Sequence, residues 1–285
     1  MPWREREGRG VEEDRERYFV QSFARGLDVI KSFSRSQDRL TVAELAELTG
    51  LHSAAARRFV LTLSDLGYLR SEGRHYALTT KVLELGHAYL TSDPLHQTVK
   101  PHLDRLVETT MATTSLRVLD AGVAVRDRDD VVYIAYARAE SLFVLNVSAG
   151  SSYPAWVAST GRVLLSAQTA EELDAYLDRV ELVRYTGKTV ANKAALRRSI
   201  SAATEQGWAM VDQEFDDRLC SYAVPIHDDS HNVIAALNLS VMHNDDNAEH
   251  HSAVVTELEQ TAALICAEVP RRSGADATGR PMGVR

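Results

Sequence analysis

Cysteine is scarce: Cys220 and Cys266 are the only two in 285 residues, and thiols so far apart form neither a disulfide framework nor a zinc spacing. No apolar run is long enough to cross a membrane and no signal-peptide pattern opens the sequence, so a cytoplasmic protein without a membrane partner is expected. Positive charge is also short, with a net of −8. The deficit is uneven. Residues 1–92 hold 14 Lys and Arg against 13 Asp and Glu, and the remainder 18 against 27, so the acidity sits in the C-terminal part, and the near-neutral N-terminal part could hold a polyanion only through local patches. A phosphate-binding loop is missing as well, since Gly150 and Gly161 stand in no nucleotide-binding spacing. Neither a nucleophile elbow nor a cysteine-protease signature surrounds Cys220. A couple of Cys220 with His227 or His243 is therefore set aside for a small, partly buried thiol, and neither enzyme chemistry nor a cofactor is expected. The run His243-Asn-Asp-Asp-Asn-Ala-Glu-His-His offers metal donors, but it precedes a helical pattern and reads as a polar loop with a helix cap, so no metal is assigned.

What is present starts with length and apolar content. A chain of this length with 45% hydrophobic residues suggests two domains with a core each. In the first, Thr41 and Glu44 form a capping-box pair. Val42, Leu45, Ala46 and Leu48 follow at mainly helical spacing, Gly50 ends the helix, and Leu51 packs into the turn. Ser53 is expected to cap a second helix whose Ala56, Phe59, Val60, Leu63 and Leu66 face the core, before Gly67 stops it. Its opposite, N-terminal face presents His52, Ser53, Ala54, Arg57 and Arg58. In a helix-turn-helix these are the positions that reach base edges, and arginine bonds guanine or phosphate with a planar fork.

Residues 68–79 then read as two short strands turning around Glu72-Gly73, a wing with Arg70, Arg74 and His75 near its tip for phosphate contact. Upstream, residues 18–35 supply a first helix with Val20, Phe23, Leu27, Ile30 and Phe33 as a core stripe. An arginine pair alone is more often a solvated helix face. Here it comes in order with a capped helix, a glycine turn and a hairpin, and that order favours DNA contact.

The expected organisation is a disordered tail at 1–17, a winged helix-turn-helix at 18–79, a linker helix within 80–94, a second domain at 95–270, and a disordered tail at 271–285. The tails are too charged or too rich in small residues to bury a core. In the linker, Val82, Leu85 and Tyr89 share one side and Pro94 marks the stop. The second domain mixes helical patterns at 97–111, 159–167, 170–178, 192–206 and 249–268 with β-rich runs at 115–120, 131–137, 142–148, 208–211, 221–226 and 233–241, an α+β pattern.

Several of these stretches, taken together, resemble the IclR family of bacterial transcription regulators. The motifs are Phe19-Val-Gln-Ser-Phe-Ala-Arg-Gly-Leu-Asp-Val-Ile, the Leu40–Leu51 helix and turn, Ala54-Ala-Ala-Arg-Arg-Phe-Val-Leu-Thr-Leu, Leu66-Gly-Tyr, Leu83-Glu-Leu-Gly-His-Ala-Tyr-Leu, Ala158-Ser-Thr-Gly-Arg-Val-Leu-Leu, Val211-Asp-Gln-Glu and Ala223-Val-Pro-Ile. They extend over about residues 19–268, and the alanine triplet before two arginines is similar to the PcaR/PcaU/PobR branch. The resemblance implies a GAF-like effector domain with a curved antiparallel sheet. It also implies a linker helix that joins the domains and takes part in dimer contacts.

Carried over by position, the effector would meet Ser159, Thr160, Asp212, Ser221, Asn238 and Ser240. A helix N-terminus with hydroxyls suits a carboxylate, and residues two apart on a strand share a face. Tyr133, Tyr153 and Trp156 are candidates for an aromatic slot. Caps, satisfied core polar groups and ordinary packing are the alternatives for each. One departure from the family pattern stands out at 121–130, read as a longer, exposed, charged hairpin loop. The expected partners are a palindromic double-stranded DNA operator, a small aromatic or carboxylic acid, further copies of the chain as a dimer or dimer of dimers, and, if the protein activates, RNA polymerase. The branch implies control of aromatic-acid catabolism, with protocatechuate, 4-hydroxybenzoate or a β-ketoadipate intermediate as effector. The competing reading is a small-molecule sensor whose winged domain contacts other proteins.

Overall fold

The computed structural model describes residues 18–33, 37–92, 94–113, 118–139, 147–243 and 247–269. The expected tails, and most of the strand expected at 142–148, lie outside them. Contacts divide the chain into two units, Met1–Tyr89 and Leu90–Arg285.

In the first unit, α1 (Gln21–Lys31), α2 (Val42–Thr49) and α3 (Ser53–Asp65) surround a small core and are joined to a three-stranded sheet of order β1-β3-β2. Those strands are β1 (Leu40–Thr41), β2 (Leu69–Glu72) and β3 (His75–Leu78). The Thr41–Glu44 capping box is formed on both sides, and the bond from the Thr41 amide holds the Glu44 carboxyl below its usual pKa. Gly50 closes α2 at φ +64°, a conformation that costs glycine little. The core gathers Val29, Leu40, Leu45, Val60, Leu63 and Leu69, with Phe59 and Leu51 packed against it.

Four local expectations change. His52, not Ser53, is the N-cap of α3, and no side chain caps it. Leu48 and Leu66 are about half exposed, because each sits at the end of its helix where the apolar stripe leaves the core. α1 buries Val29, which the expected stripe did not include, whereas Val20 and Phe23 of that stripe stand 60% and 68% exposed; the helix reaches past the small core, and among the described residues of this unit its first turn is left uncovered. After the wing comes a 3-10 turn (Thr80–Val82) and then α4 (Leu83–Ser92). Leu83, Leu85 and Tyr89 of α4 are exposed too.

In the second unit, α5 (Pro94–Thr113) begins at Pro94. The proline expected as a stop is instead a starter, since the first helical position needs no N–H. One antiparallel sheet follows in the order β6-β5-β4-β9-β8-β7. Its strands are β4 (Val118–Asp127), β5 (Asp130–Arg138), β6 (Ser152–Pro154), β7 (Ala209–Asp212), β8 (Leu219–His227) and β9 (Val233–Met242). Bulges at Val118/Asp120, Val123/Ala124 and Ile226/His227 add the local twist that lets such a sheet curve. On one face α5 and α9 (Asn247–Glu268) close a large apolar core that includes Cys220, Tyr222, Leu237 and Leu239. On the other, α6 (Ser159–Ser166), α7 (Ala170–Arg179) and α8 (Lys193–Gln206) close a second, with Trp156, Leu165, Leu196 and Ala223.

The expected exposed loop at 121–130 is not a loop. Residues Ala121–Asp127 continue β4, with Ala121, Val123 and Ala124 fully buried, and only Arg128–Asp129 turn, Arg128 at φ +56°. The charged tip is tied down: Arg179 Nε donates to Asp129 Oδ1 at 2.9 Å and Arg126 to Gln168 at 2.7 Å. Charge at the tip suggested a loop, but the apolar alternation before it was the stronger signal for a strand.

Candidate functional site

The first candidate surface is the start of α3. His52, Ser53, Ala54, Arg57 and Arg58 are all exposed, while Ala56, Val60 and Leu63 turn inward and anchor the helix. The free face is thus small at its N-terminal end, with Ala54 and Ser53, and cationic one turn later. Backbone N–H groups of a first helical turn point outward and suit an anion such as phosphate.

The wing adds its own cations unevenly. Glu72 pairs with His75 across the ladder, so the turn is Gly73-Arg74, one residue later than expected, with Gly73 at φ +69°. That places Arg74 at the tip. Arg70 Nε donates to Glu72 Oε1 at 2.8 Å, and Arg39 lies 3.1 Å from the other oxygen. The bond from Arg70 holds the Glu72 carboxyl low. Arg70 is therefore already engaged within the wing, while Arg74 and His75 are exposed.

The second candidate site is a cleft of about 390 Å³ on the α6 side of the large sheet. Ser159 opens α6 and its Oγ lies 2.9 Å from Ser221 Oγ on β8. Ser221 is 3.4 Å from Ser240 on β9, and Asn238 Nδ2 donates to Ser240 at 3.1 Å. A ladder of hydroxyls thus crosses from the helix N-terminus over two strands. Register carries it one strand further, because Ser240 faces Asp120 of β4. The Asp120 carboxyl is buried and pushed up to about 6 by desolvation; the Ser240 and Tyr136 hydroxyls and the Arg138 charge oppose this only in part. Tyr133, Tyr153 and Phe215 form the apolar wall, meeting edge to face at 6.1 and 5.6 Å. Desolvation, then the Asp120 charge, holds the Tyr133 phenol above its usual pKa, so it stays neutral.

Of the nine effector residues inferred from sequence, Ser159, Ser221, Ser240, Tyr133 and Tyr153 line this cleft. Asn238 stands behind it in the ladder. Thr160 is buried under α6, and Trp156 is buried beside Tyr185 at 5.9 Å. Asp212 is elsewhere: its Oδ1 holds His243 Nδ1 at 2.8 Å. That bond takes up His243, and Cys220 faces the α9 core on the side of β8 away from the cleft. Among the described residues no cluster of three His, Cys, Asp or Glu is arranged for a metal, and residues 244–246 of the polar run lie outside them.

Sequence reading missed Asp120, Phe215, Asp216 and Arg218, which also line the cleft. At the rim Arg218 grips Asp216 through two bonds of 3.0 and 2.9 Å, which holds the Asp216 carboxyl low. It also missed what pins α6. Arg162, 2% exposed, donates to Glu214 at 2.7 Å, Ser199 at 2.9 Å and the Trp156 carbonyl at 3.2 Å. Glu214 in turn accepts the Val190 amide at 2.9 Å. Beside it Gly161 is obligatory, since a Cβ there would lie 1.9 Å from the Ala155 carbonyl oxygen.

Residues 22–73 match the IclR helix-turn-helix domain, and residues 87–267 match the family described as Bacterial transcriptional regulator IclR C-terminal. The chain is 41% identical over 223 residues to the Pca regulon regulatory protein of Pseudomonas putida, covering 78% of this chain and 74% of that one. It is 31% identical over 232 residues to the p-hydroxybenzoate hydroxylase transcriptional activator of Acinetobacter baylyi, covering 80% and 83%. In fold it is similar to an IclR homolog of Microbacterium hydrocarbonoxydans solved in complex with 4-hydroxybenzoate, with a TM-score of 0.72, 22% identity, and 87% and 99% coverage. A winged helix-turn-helix followed by a curved sheet with a polar-floored cleft, matched by both family domains over most of its length, makes this chain a member of the IclR family of bacterial transcription regulators and not an enzyme.

Proposed function

We propose that this regulator controls genes of aromatic-acid catabolism and answers to a small hydroxylated aromatic acid of the 4-hydroxybenzoate or protocatechuate kind. The observation that carries the reading is the cleft: an aromatic wall of Tyr133, Tyr153 and Phe215 beside a floor of serine hydroxyls at the start of α6. Such a site takes a flat ring with an anionic end, the carboxylate meeting Ser159, Ser221 and the free amides of the helix. The likeness to two regulators named for the Pca regulon and for p-hydroxybenzoate hydroxylase supports the same class.

The DNA end of the reading assigns His52, Ser53, Ala54, Arg57 and Arg58 to the major groove, and Arg74, His75 and Arg70 to phosphates. One short helix binds weakly, so the chain acts as a homo-oligomer on a palindrome, each copy reading one half-site. Phe23, Leu83, Leu85 and Tyr89 of the N-terminal unit are exposed, apolar surface that self-association would cover. No described helix is long and apolar enough to cross a membrane, and a DNA target places the work in the cytoplasm. If it activates, it contacts RNA polymerase from this DNA-bound state.

The test is to sequence the genomic fragments retained by the purified chain with and without each acid. Enrichment of a palindrome near aromatic-catabolism genes, shifted by one acid, is the expected result. A palindrome beside unrelated genes discards the aromatic assignment, and no enrichment at low salt discards the DNA surface.

A further inference from the structure

Two acceptor atoms under the cleft floor have no hydrogen-bond partner, Asp120 Oδ2 and Asn238 Oδ1. Both side chains are buried, at 2% and 1% exposure. A buried polar group left unmatched costs more than an ordinary hydrogen bond returns, so natural proteins seldom keep one without a use. The two lie close together, since Asp120 and Gly122 of β4 face Ser240 and Asn238 of β9. Gly122 lets the Tyr133 ring pack close beside them: a Cβ there would lie 2.8 Å from that ring and 3.0 Å from Asn238 Oδ1. The floor at this end therefore keeps two acceptor atoms unmatched, even though the Ser240 and Tyr136 hydroxyls already reach the carboxyl. At the other end, by Ser159 and Ser221, it offers hydroxyls and a helix N-terminus.

We propose that Asp120 determines the specificity of the cleft by accepting a hydrogen bond from a donor group on the effector ring, opposite the carboxylate. The inference rests on the aromatic-acid reading above and adds which substituent the site demands. The spacing suits it. Asp120, Ser240 and Ser221 stand side by side on β4, β9 and β8, so the two ends are two strand spacings apart, about 9–10 Å between Cα atoms. A benzene ring bearing a carboxylate and a para donor spans that interval once the side chains have reached inward. The other charged residues at the cleft, Asp216 and Arg218, are bonded to each other at its rim, which leaves Asp120 as the buried charge that meets the ring.

The demand is for a donor, not for size or polarity, and that separates ligands of nearly equal shape. The experiment is calorimetric titration of the full-length protein at pH 8 with 4-hydroxybenzoate, 4-aminobenzoate and 4-fluorobenzoate, repeated with Asp120→Ala. The hydroxyl and amino acids should bind, and the fluoro acid, which cannot donate, at least about tenfold more weakly, the scale of a lost hydrogen bond to a charged acceptor. In Asp120→Ala the preference should shrink to within about threefold, a ratio that a merely structural role for Asp120 would not move. Equal binding of all three acids by the wild-type protein overturns the role of Asp120 and leaves the aromatic-acid reading standing, even if the variant does not fold. Binding of none of them overturns that reading, and this inference with it.

Discussion

The two ends of this regulator use polar side chains in opposite ways. In the reading head, the cations proposed to meet DNA are exposed on a helix held by a small apolar core, and removing one leaves the fold alone. In the effector domain, the polar groups on the cleft floor, Asp120, Ser159, Ser221 and Ser240, are buried, so each is bound into the structure as well as proposed to meet a ligand. Arg57 and Arg162 make the contrast plain. Arg57 stands exposed on α3, while Arg162 is buried within α6 and has three protein acceptors, one of them its ion-pair partner Glu214. A charge in water is available to a partner, whereas the buried Arg162 charge is already committed to one.

Four variants test how far that contrast goes. The largest effect is expected from reversing both head cations, Arg57→Glu with Arg58→Glu. DNA affinity should fall by about 10²–10⁴-fold, read by electrophoretic retention on an enriched palindrome, with the melting of the protein unchanged. An unchanged affinity would remove α3 from the groove. Next comes Arg162→Met, which strands Glu214 and should cost about 3–5 kcal/mol in the effector domain, seen as faster amide exchange across α6 and β8 while the head is unaffected. Retained stability would mean the buried pair is no more committed than a surface one.

Asp120→Asn comes third and has a defined pH signature. The folded pKa of about 6 exceeds the usual 3.8, so between those values the folded chain holds a proton that the unfolded chain releases. The carboxyl therefore costs little below pH 4, and its cost rises with pH until it is full above 6. The amide variant should gain about 2–3 kcal/mol at pH 8 and roughly half of that at pH 5, measured by denaturant unfolding at the two values. A gain that grows toward acid would mean the carboxyl is stabilised, not strained, by its surroundings. The smallest effect belongs to Thr41→Ala, which opens one capping box and should cost about 1 kcal/mol. Exchange of the α2 amides would then quicken about fivefold, with effector binding untouched.

The same contrast governs what could be read in advance. The capping box at Thr41, the glycine stops at 50 and 67, the hairpin and most strands of the second domain follow from neighbours a few residues apart, where periodicity and turn chemistry act. The head surface was legible for that reason: on a single helix, inward and outward positions are fixed by spacing alone. Its errors sit where the core runs out, at Val20, Phe23, Leu48 and Leu66, since a stripe of apolar residues does not say how far the partner surface extends.

The cleft was legible only in part. Ser159, Ser221 and Ser240 were reached through motif resemblance, and a period-two strand puts Ser240 and Asn238 on one face. Asp120 was read as the end of a β-rich run and not as a pocket residue, because nothing among its chain neighbours shows that it faces Ser240, and beyond it Ser221, across the sheet.

Local composition thus decided the helices, their stops, the family and the exposed reading face, because each depends on contacts within a turn or two of chain. Long-range pairing decided the rest. Register across β4, β9 and β8 set Asp120 beside Ser240 and Ser221, α6 brought Ser159 onto them, and Arg162 found Glu214 far along the chain. Only burial, which exists once the sheet and helices have closed, turned an ordinary carboxyl into one that holds its proton up to about pH 6.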